Sequence, residues 1–370
     1  MKKIILFLLL ILILIFSLGC GIDQQEQPEP TDPIQNESPN IEPPEDPSKN
    51  ENNQETPGQE ELSIEEFYPI ESDKEYLYVG EGNEYASYRV LIDYIDHNTK
   101  RIQTRTNNGG TEMVKVIEIG TNNVSLLYSK EEVYYRDNLL KTEPSKNNIE
   151  ILLKEPIKVG TKWTLPDDRV RTITNTSVEI NTPLGSYKTI EVTTEGPHST
   201  IREYYAPGVG LVKSIFNSEG SEVTSTLSEI KDNASFKKDI TFFYPGEGQK
   251  IYGEDKTVQF KTNDISRNNI KKIMAEKPPK ETYLPLISSN TKINSLYLGS
   301  DNIAYVDFSK EFIQDMNAGA MYESLILQSV ANTIGGYYNV NRVYLTIDGK
   351  PYESGHIQLK KGEILQVKLP

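Results

Sequence analysis

The chain has 370 residues, a length that allows two globular domains and additional segments. With 36% hydrophobic and 25% charged residues its composition is not that of a membrane protein with several spans. One cysteine and three histidines exclude an internal disulfide and make a zinc site or redox chemistry improbable, so we predict no metal and no cofactor. The net charge of −15 disfavours nucleic acid as a partner, because phosphate binding needs clustered lysine and arginine.

The N-terminus has the order of a secretory signal. Two lysines precede an unbroken apolar run from Ile4 to Phe16, and the small residue Gly19 stands directly before Cys20. The run is shorter than the roughly 20 residues of a membrane-crossing helix. The Gly19-Cys20 pair resembles the lipobox of bacterial lipoproteins, which implies that residues 1–19 are removed as a signal peptide and that Cys20 carries the lipid, palmitate included. An uncleaved anchor with Cys20 as a bystander thiol is the alternative.

Residues 20–63 are predicted to be the lipidated cysteine and a disordered tether. From Gly21 to Glu61 there are twelve acidic residues, one basic residue, eight prolines and no aromatic residue. Such a segment buries too little apolar surface to offset the cost of ordering it. About 41 flexible residues reach roughly 35 Å root mean square. We therefore expect a globular part that stands off the extracytoplasmic face of the cell membrane, held there by a lipid anchor.

Residues 64–234 are predicted to form an all-β domain, an antiparallel barrel or sandwich. Short β-branched and aromatic runs, such as Tyr88 to Tyr94, alternate with turn signals that include Asn107 to Gly110 and Pro207-Gly208. Roughly ten to twelve strands fit into such a length. Further strands are expected at residues 113–119, 124–128, 149–153 and 170–174.

Two features of this domain are candidate ligand-binding or catalytic groups. Trp163 and the many tyrosines would suit a small-molecule cavity in a barrel, although a single tryptophan more often fills a core. His198 and Ser199 lie near Glu195, but adjacent residues of a strand point to opposite faces, which favours an exposed loop over a nucleophile pair.

Residues 235–370 are predicted to form a small α+β domain, because strand patterns now alternate with stretches of helical length. Asp264 is a plausible N-cap for a first helix, and a long buried helix is expected from Asn317 to Ile334, with Gly335-Gly336 as its stop. Asp348-Gly349 has the chemistry of a hairpin turn. Strands or extended segments are expected at residues 240–245, 257–261, 296–298, 303–308, 343–347 and 364–369.

Three blocks in this region resemble the GerMN domain of sporulation and spore-germination lipoproteins. They run from Ile303 to Phe312, from Glu323 to Ile334 and from Val340 to Lys350, in the family's order and spacing. The resemblance implies a unit similar to the ring-building modules of sporulation assemblies, without known catalysis. The family's namesake resembles a tandem of two such domains, whereas a single copy follows an unrelated β-domain here. The same domain occurs in envelope lipoproteins outside sporulation.

Four carboxylates are candidates for an active site of the second domain, namely Asp307, Glu311, Asp315 and Asp348. Their spacing favours turns and helix caps instead, so we predict no catalytic residue and assign a function to Cys20 alone. The leading hypothesis is a non-enzymatic, lipid-anchored envelope protein whose GerMN-like domain mediates assembly with envelope or sporulation proteins, in sporulation or germination. The alternative is a receptor that binds a small molecule or a peptidoglycan fragment through the tyrosine-rich β-domain. An envelope hydrolase is the weakest hypothesis.

Overall fold

The computed structural model of the protein describes residues 63–144 and 149–369. The predicted signal peptide, the predicted lipidation site Cys20 and the predicted tether as far as Leu62 lie outside the described residues. Of the helices found within the two described ranges, none is long and apolar enough to cross a membrane.

The N-terminal part is one twelve-stranded antiparallel sheet, preceded by a 3-10 helix at Ile64–Phe67. Its order is β6-β5-β4-β3-β2-β1-β12-β11-β10-β9-β8-β7, so the first and last strands pair in its middle. The all-β antiparallel prediction is confirmed. The strands are β1 Glu75–Glu81, β2 Tyr88–Asp96, β3 Arg101–Asn107, β4 Glu112–Ile119, β5 Asn123–Lys130, β6 Glu150–Lys154, β7 Lys162–Thr164, β8 Val170–Thr182, β9 Gly185–Glu195, β10 Ser199–Ala206, β11 Gly210–Ser218 and β12 Ser221–Lys231.

The two edges of this sheet meet at a seam between β6 and β7. The indole N–H of Trp163 donates to the carbonyl of Ile151 at 2.9 Å, and the Arg171 guanidinium lies 3.6 Å from the Glu150 carboxylate. Side chains therefore bring the edges together where a backbone ladder would close a barrel, and the sheet is barrel-like and nearly closed. Trp163 is buried in the core that lies inside the sheet, the role favoured for it above a ligand contact.

The C-terminal part is a small α+β unit, as predicted. Helix α3 packs mainly against the hairpin of β13 and β14 and also contacts the smaller five-stranded sheet. That sheet has the order β15-β16-β17-β18, with β19 also paired to β17. The elements are β13 Phe236–Gly246, β14 Lys250–Phe260, α1 Ser266–Met274, β15 Ile293–Leu298, β16 Ala304–Phe308, α2 Glu311–Gln314, α3 Ala320–Tyr338, β17 Arg342–Ile347, β18 Lys350–Pro351 and β19 Leu365–Gln366.

Two predicted helix boundaries are wrong. The residue before α1 is Ile265, whereas the Asp264 carboxylate accepts from the Lys261 backbone N–H at 2.9 Å and so holds the preceding turn. Helix α3 runs through Gly335-Gly336 and ends before Asn339, whose φ of 57° is left-handed. A Cβ on Gly335 would lie 2.2 Å from a methyl group of Val367, so close packing explains this glycine.

The two parts share one hydrophobic core. Leu91 and Val114 of the large sheet, together with Val133 and Tyr135 of the β5–β6 connection, belong to the same cluster as the core of the C-terminal unit. Backbone contacts reinforce this joint: the N–H of Asn263 donates to the carbonyl of Asp93 on β2 at 3.0 Å. The C-terminal unit is thus fixed to β2 and to the β5–β6 connection, while the domain boundaries at residues 64 and 235 stay a prediction.

Candidate functional site

The carboxylates considered from the sequence hold turns together. One oxygen of Asp307 accepts from the Thr346 hydroxyl at 2.6 Å and from the Gly349 N–H at 2.8 Å. Asp348 accepts from the Lys310 N–H at 3.2 Å, and both Asp348 and Gly349 have positive φ. Asp315 accepts from Ser288 and Asn290, at 2.7 Å and 2.9 Å, and Glu311 begins α2. These contacts give the carboxylates structural roles in turns and at the start of a helix.

In the β-domain, His198 and Ser199 both line one open surface cavity of about 400 Å³, and Glu195 is not among its lining residues. His198 is exposed in the turn between β9 and β10. Within residues 63–144 and 149–369, no group of three or more His, Cys, Asp or Glu side chains could hold a metal ion. The receptor hypothesis rests on the large number of tyrosines. Four of them in the large sheet are core residues with less than a tenth of their surface exposed, namely Tyr78, Tyr94, Tyr204 and Tyr205, whereas Tyr85 is 47% exposed.

A buried ionic cluster lies at the joint and is centred on Arg136 of the β5–β6 connection. Its Nη1 donates to the Tyr94 hydroxyl at 2.9 Å and to the Asp264 carbonyl at 2.5 Å. Its Nη2 donates to the carbonyls of Asp93 and Lys261, at 2.6 Å and 2.8 Å. The side chain is completely buried, and its Nε lies 3.4 Å from the Asp93 carboxylate. The guanidinium is therefore committed to holding β2 against the segment before α1.

Arg105 of β3 completes this cluster. It lies 3.0 Å from the Asp93 carboxylate and 2.8 Å from that of Glu112. It also donates to the carbonyls of Val133 and Tyr135, at 2.5 Å and 2.7 Å. Buried charges are tolerated when they are paired and hydrogen-bonded in this way. We call Asp93, Arg105, Arg136 and Asp137 the joint network.

Asp137 is the member of the joint network that reaches furthest into the C-terminal unit. Its carboxylate accepts from the Tyr338 hydroxyl of α3 at 2.8 Å and from the Leu298 N–H of β15 at 3.2 Å. Burial raises the pKa of Asp137 to about 6, while these two hydrogen bonds act in the opposite direction. The carboxyl group at the joint can therefore change its charge near neutral pH.

Beside the joint, a groove runs between the start of α1 and the open edge of β15. It consists of a cavity of about 580 Å³ that includes Leu296 and a second of about 410 Å³ that includes Lys292, and Arg267 lines both. We call this feature the edge groove and define it by Lys141, Ile265, Arg267, Lys271, Lys292 and Leu296. Ile265 has 45% of its surface exposed, which places apolar surface between the cations.

Neither the joint network nor the edge groove was found from the sequence. Arg136 and Asp137 lie in a connection without regular alternation, and their partners are up to 201 residues away along the chain. The cations of the edge groove come from the β5–β6 connection, from α1 and from the start of β15. One signal was available: Tyr134-Tyr135-Arg136-Asp137 combines aromatic and charged residues in a segment that was not predicted as a strand.

An all-β barrel-like sheet joined to a small α+β unit is the class of architecture that these observations define. Residues 241–353 match the family model Germane, described as sporulation and spore germination. The resemblance to the GerMN domain is therefore confirmed for the C-terminal third of the chain. A search of the curated proteins gave no match.

Solved structures with likeness to this chain include GerMN domains. The first GerMN domain of the sporulation protein GerM from Bacillus subtilis is 17% identical over 34% of this chain and 94% of its own, with a TM-score of 0.27. The tandem GerMN domains of the same protein are 18% identical over 34% of this chain and 45% of their own, also with a TM-score of 0.27. A protein from Bacteroides fragilis, described as exported and of YmcC-like fold, is 12% identical over 45% of this chain and 99% of its own, with a TM-score of 0.29. Likenesses this weak carry no argument about function.

Proposed function

We propose that this protein is a non-enzymatic, lipid-anchored component of the cell envelope whose C-terminal unit mediates assembly with envelope or sporulation proteins. The observation that carries the proposal is the match of residues 241–353 to the Germane family of sporulation and spore germination. The structural partners of Asp307, Asp315 and Asp348 support a non-enzymatic role, because each is engaged in holding a turn.

The anchor belongs to the same proposal. The order of charged, apolar and small residues before Cys20 supports cleavage after Gly19 and lipidation of the cysteine. Replacing Cys20→Ala should move the protein out of the membrane fraction after a carbonate wash. Retention of the variant in that fraction would instead favour the uncleaved anchor, with the thiol as a bystander.

Assembly can be tested in living cells with a photo-crosslinking amino acid. The chain offers matched exposed positions: Tyr297 and Tyr322 on the C-terminal unit, 46% and 36% exposed, and Tyr85 and Leu184 on the large sheet, 47% and 43% exposed. Each position is substituted singly in the full-length chain, and crosslinked proteins are identified from sporulating and vegetative cells.

We expect discrete protein crosslinks from Tyr297 or Tyr322 and none from Tyr85 or Leu184. Crosslinks confined to the large sheet, or recovery of glycan fragments alone, would contradict the assembly role and support the receptor alternative. Point substitutions are preferable to a deletion of residues 235–370, because such a deletion would expose Leu91, Val114 and the buried Arg136.

A further inference from the structure

We propose that the edge groove binds an extended, acidic segment of a partner protein, which adds as a further strand along the open edge of β15. The inference rests on the proposed function and deepens it, because it names the assembly surface and the chemistry of the partner.

The backbone of β15 provides the first part of the argument. The Gly299 N–H donates to the Ile303 carbonyl at 2.9 Å, and antiparallel hydrogen bonds alternate along a pair of strands. Consequently the N–H and C=O groups of Leu298 and Leu296 point away from β16. The hydrogen bond from the Leu298 N–H to the Asp137 carboxylate, at 3.2 Å, agrees with this direction. Among the described residues no strand pairs with β15 on that side, so Leu296 offers a donor and an acceptor to an incoming strand.

The charges along the edge groove provide the second part. Lys141, Arg267, Lys271 and Lys292 line it, and within the described ranges none of them lies within 4 Å of a carboxylate oxygen in an ion pair. Lys271 donates to the Ser289 carbonyl, and Lys292 acts electrostatically on Glu311.

Carboxylates line the upper cavity of the edge groove, whereas among the described residues three cations and no carboxylate line the lower cavity. In the upper cavity Lys141 acts electrostatically on Asp96, and the Asp137 carboxylate accepts from Tyr338 and Leu298. The concentration of Arg267, Lys271 and Lys292 around the lower cavity favours an acidic ligand.

The shape of the edge groove fits one alternating strand. Successive side chains of a strand point to opposite faces, so an incoming segment would direct every second side chain towards Arg267 and Lys292. The others would meet the apolar surface of Ile265 and Leu296. Because Asp137 binds the Leu298 N–H, the backbone groups of Leu296 are the ones left for pairing, and the contact along the edge is short. Main-chain bonds would supply affinity and the cations would select the sequence.

Cations beside an open edge have another established use, which is to prevent unwanted strand pairing. A purely protective edge would bind no peptide strand of either charge. Binding of defined peptides by the full-length protein therefore separates the two roles.

The probe is a fluorescent peptide of about ten residues in which glutamate alternates with threonine and valine, measured by fluorescence anisotropy against the full-length protein in detergent. A second peptide carries lysine in place of every glutamate. A third keeps the acidic sequence but has N-methylated backbone amides at alternate residues, which removes the donors that would face Leu296. We expect saturable binding of the first peptide and at least a roughly tenfold loss for each of the others.

The protein variants are matched in charge. Arg267→Glu with Lys292→Glu should weaken binding of the acidic peptide about tenfold or more, because it reverses two charges of the edge groove. Lys360→Glu with Lys361→Glu reverses the same number of charges at two exposed lysines in another part of the unit and should leave the affinity within about twofold. Equal binding of the N-methylated peptide would overturn strand addition, and absence of binding by the acidic peptide would overturn the inference as a whole.

The failure of this inference can be told apart from failure of the proposed function. Crosslinks from Tyr297 or Tyr322 that persist unchanged in the Arg267→Glu, Lys292→Glu protein would preserve assembly and refute the edge groove as its surface. Specific binding of the acidic peptide, without any crosslink from the C-terminal unit, would support the edge groove as a peptide site. It would also contradict the assembly role in the tested cells.

Discussion

The joint network and the edge groove use the same kinds of charged side chain in opposite ways. In the joint network, Arg105 and Arg136 are buried and each contacts several acceptors. In the edge groove, Arg267 and Lys292 line open surface without an ion pair among the described residues. Burial and pairing therefore decide whether a cation holds this fold together or remains available for recognition. The residue type alone does not decide between these two roles.

The largest effect should come from Arg136→Met. Loss of the guanidinium leaves the carbonyls of Asp93, Lys261 and Asp264 without its N–H donors and removes one of the two arginines beside the Asp93 carboxylate, which should lower the free energy of unfolding by about 3–5 kcal/mol. Urea denaturation measures the change. Arg169→Met is the control, since its 2.7 Å ion pair with Asp167 is solvent-exposed and should contribute less than about 1 kcal/mol. Equal changes in the two variants would erase the contrast between buried and exposed cations.

The second effect concerns pH. The pKa of Asp137 is raised to about 6 from an ordinary value of 3.8, so the folded protein favours the neutral acid. The resulting stability is fully present below pH 3.8 and is lost as the pH rises through about 6. The side chain of the Asp137→Asn variant is neutral at every pH, so the variant does not lose this stability. Its free energy of unfolding minus that of the parent should therefore rise by roughly 2–3 kcal/mol between acidic and neutral pH.

The readout for Asp137→Asn is the difference between its unfolding free energy and that of the parent at pH 3.5 and at pH 7.5. Any constant cost of the amide cancels in this comparison, because it is present at both values. Asp167→Asn, at an exposed turn, supplies the matched control. A difference that stays flat with pH would show that Asp137 titrates normally and that the joint is insensitive to its charge.

The same contrast between burial and exposure can be sharpened with two adjacent glycines of α3. A Cβ on Gly335 would lie 2.2 Å from Val367 and 2.8 Å from the Val340 carbonyl, so Gly335→Ala should destabilise by about 1–3 kcal/mol. Nothing lies within 4 Å of a Cβ on Gly336, and Gly336→Ala should stabilise the helix by up to about 1 kcal/mol. Thermal unfolding of both variants gives the signs. Changes of the same sign would contradict the packing explanation.

The smallest effect is expected at the edge groove. Arg267→Met with Lys292→Met removes two cations that form no ion pair within the described part of the chain, so the free energy of unfolding should change by less than about 0.5 kcal/mol. Urea denaturation alongside Arg136→Met provides the direct comparison. A loss of 2 kcal/mol or more would mean that these side chains stabilise the fold, and the edge groove would then lose its distinction from the joint network.

Local features of the fold could be predicted from the sequence, while the contacts that join distant segments could not. Alternation from Tyr88 to Tyr94 and the turn at Pro207-Gly208 predict strands and hairpins correctly, because each depends on neighbouring residues. The Gly335-Gly336 pair was misread as a helix stop, since only the approach of Val367 explains the first glycine. Arg136 was missed because its acceptors at Asp93 and Lys261 are 43 and 125 residues away.

The candidate sites were still less predictable. The cations of the edge groove lie on three different elements, and neither Arg267 nor Lys292 has a sequence neighbour that marks it. An open strand edge is likewise a property of the finished sheet, because it depends on which strands fail to pair. Only the blocks that resemble the GerMN domain pointed to this region, and they did so through family likeness.

The pairing of β1 with β12 has a consequence for how such a chain can be built up over evolution. The polypeptide enters and leaves the large sheet on neighbouring strands, and the Ala234 N–H donates to the Asp73 carbonyl at 2.9 Å. A module whose two ends emerge side by side can be inserted into a gene, or lost from it, without separating the flanking segments. The twelve-stranded sheet therefore begins and ends at almost the same point of the chain, while Leu91 and Val114 still require it to evolve together with the unit that it packs against.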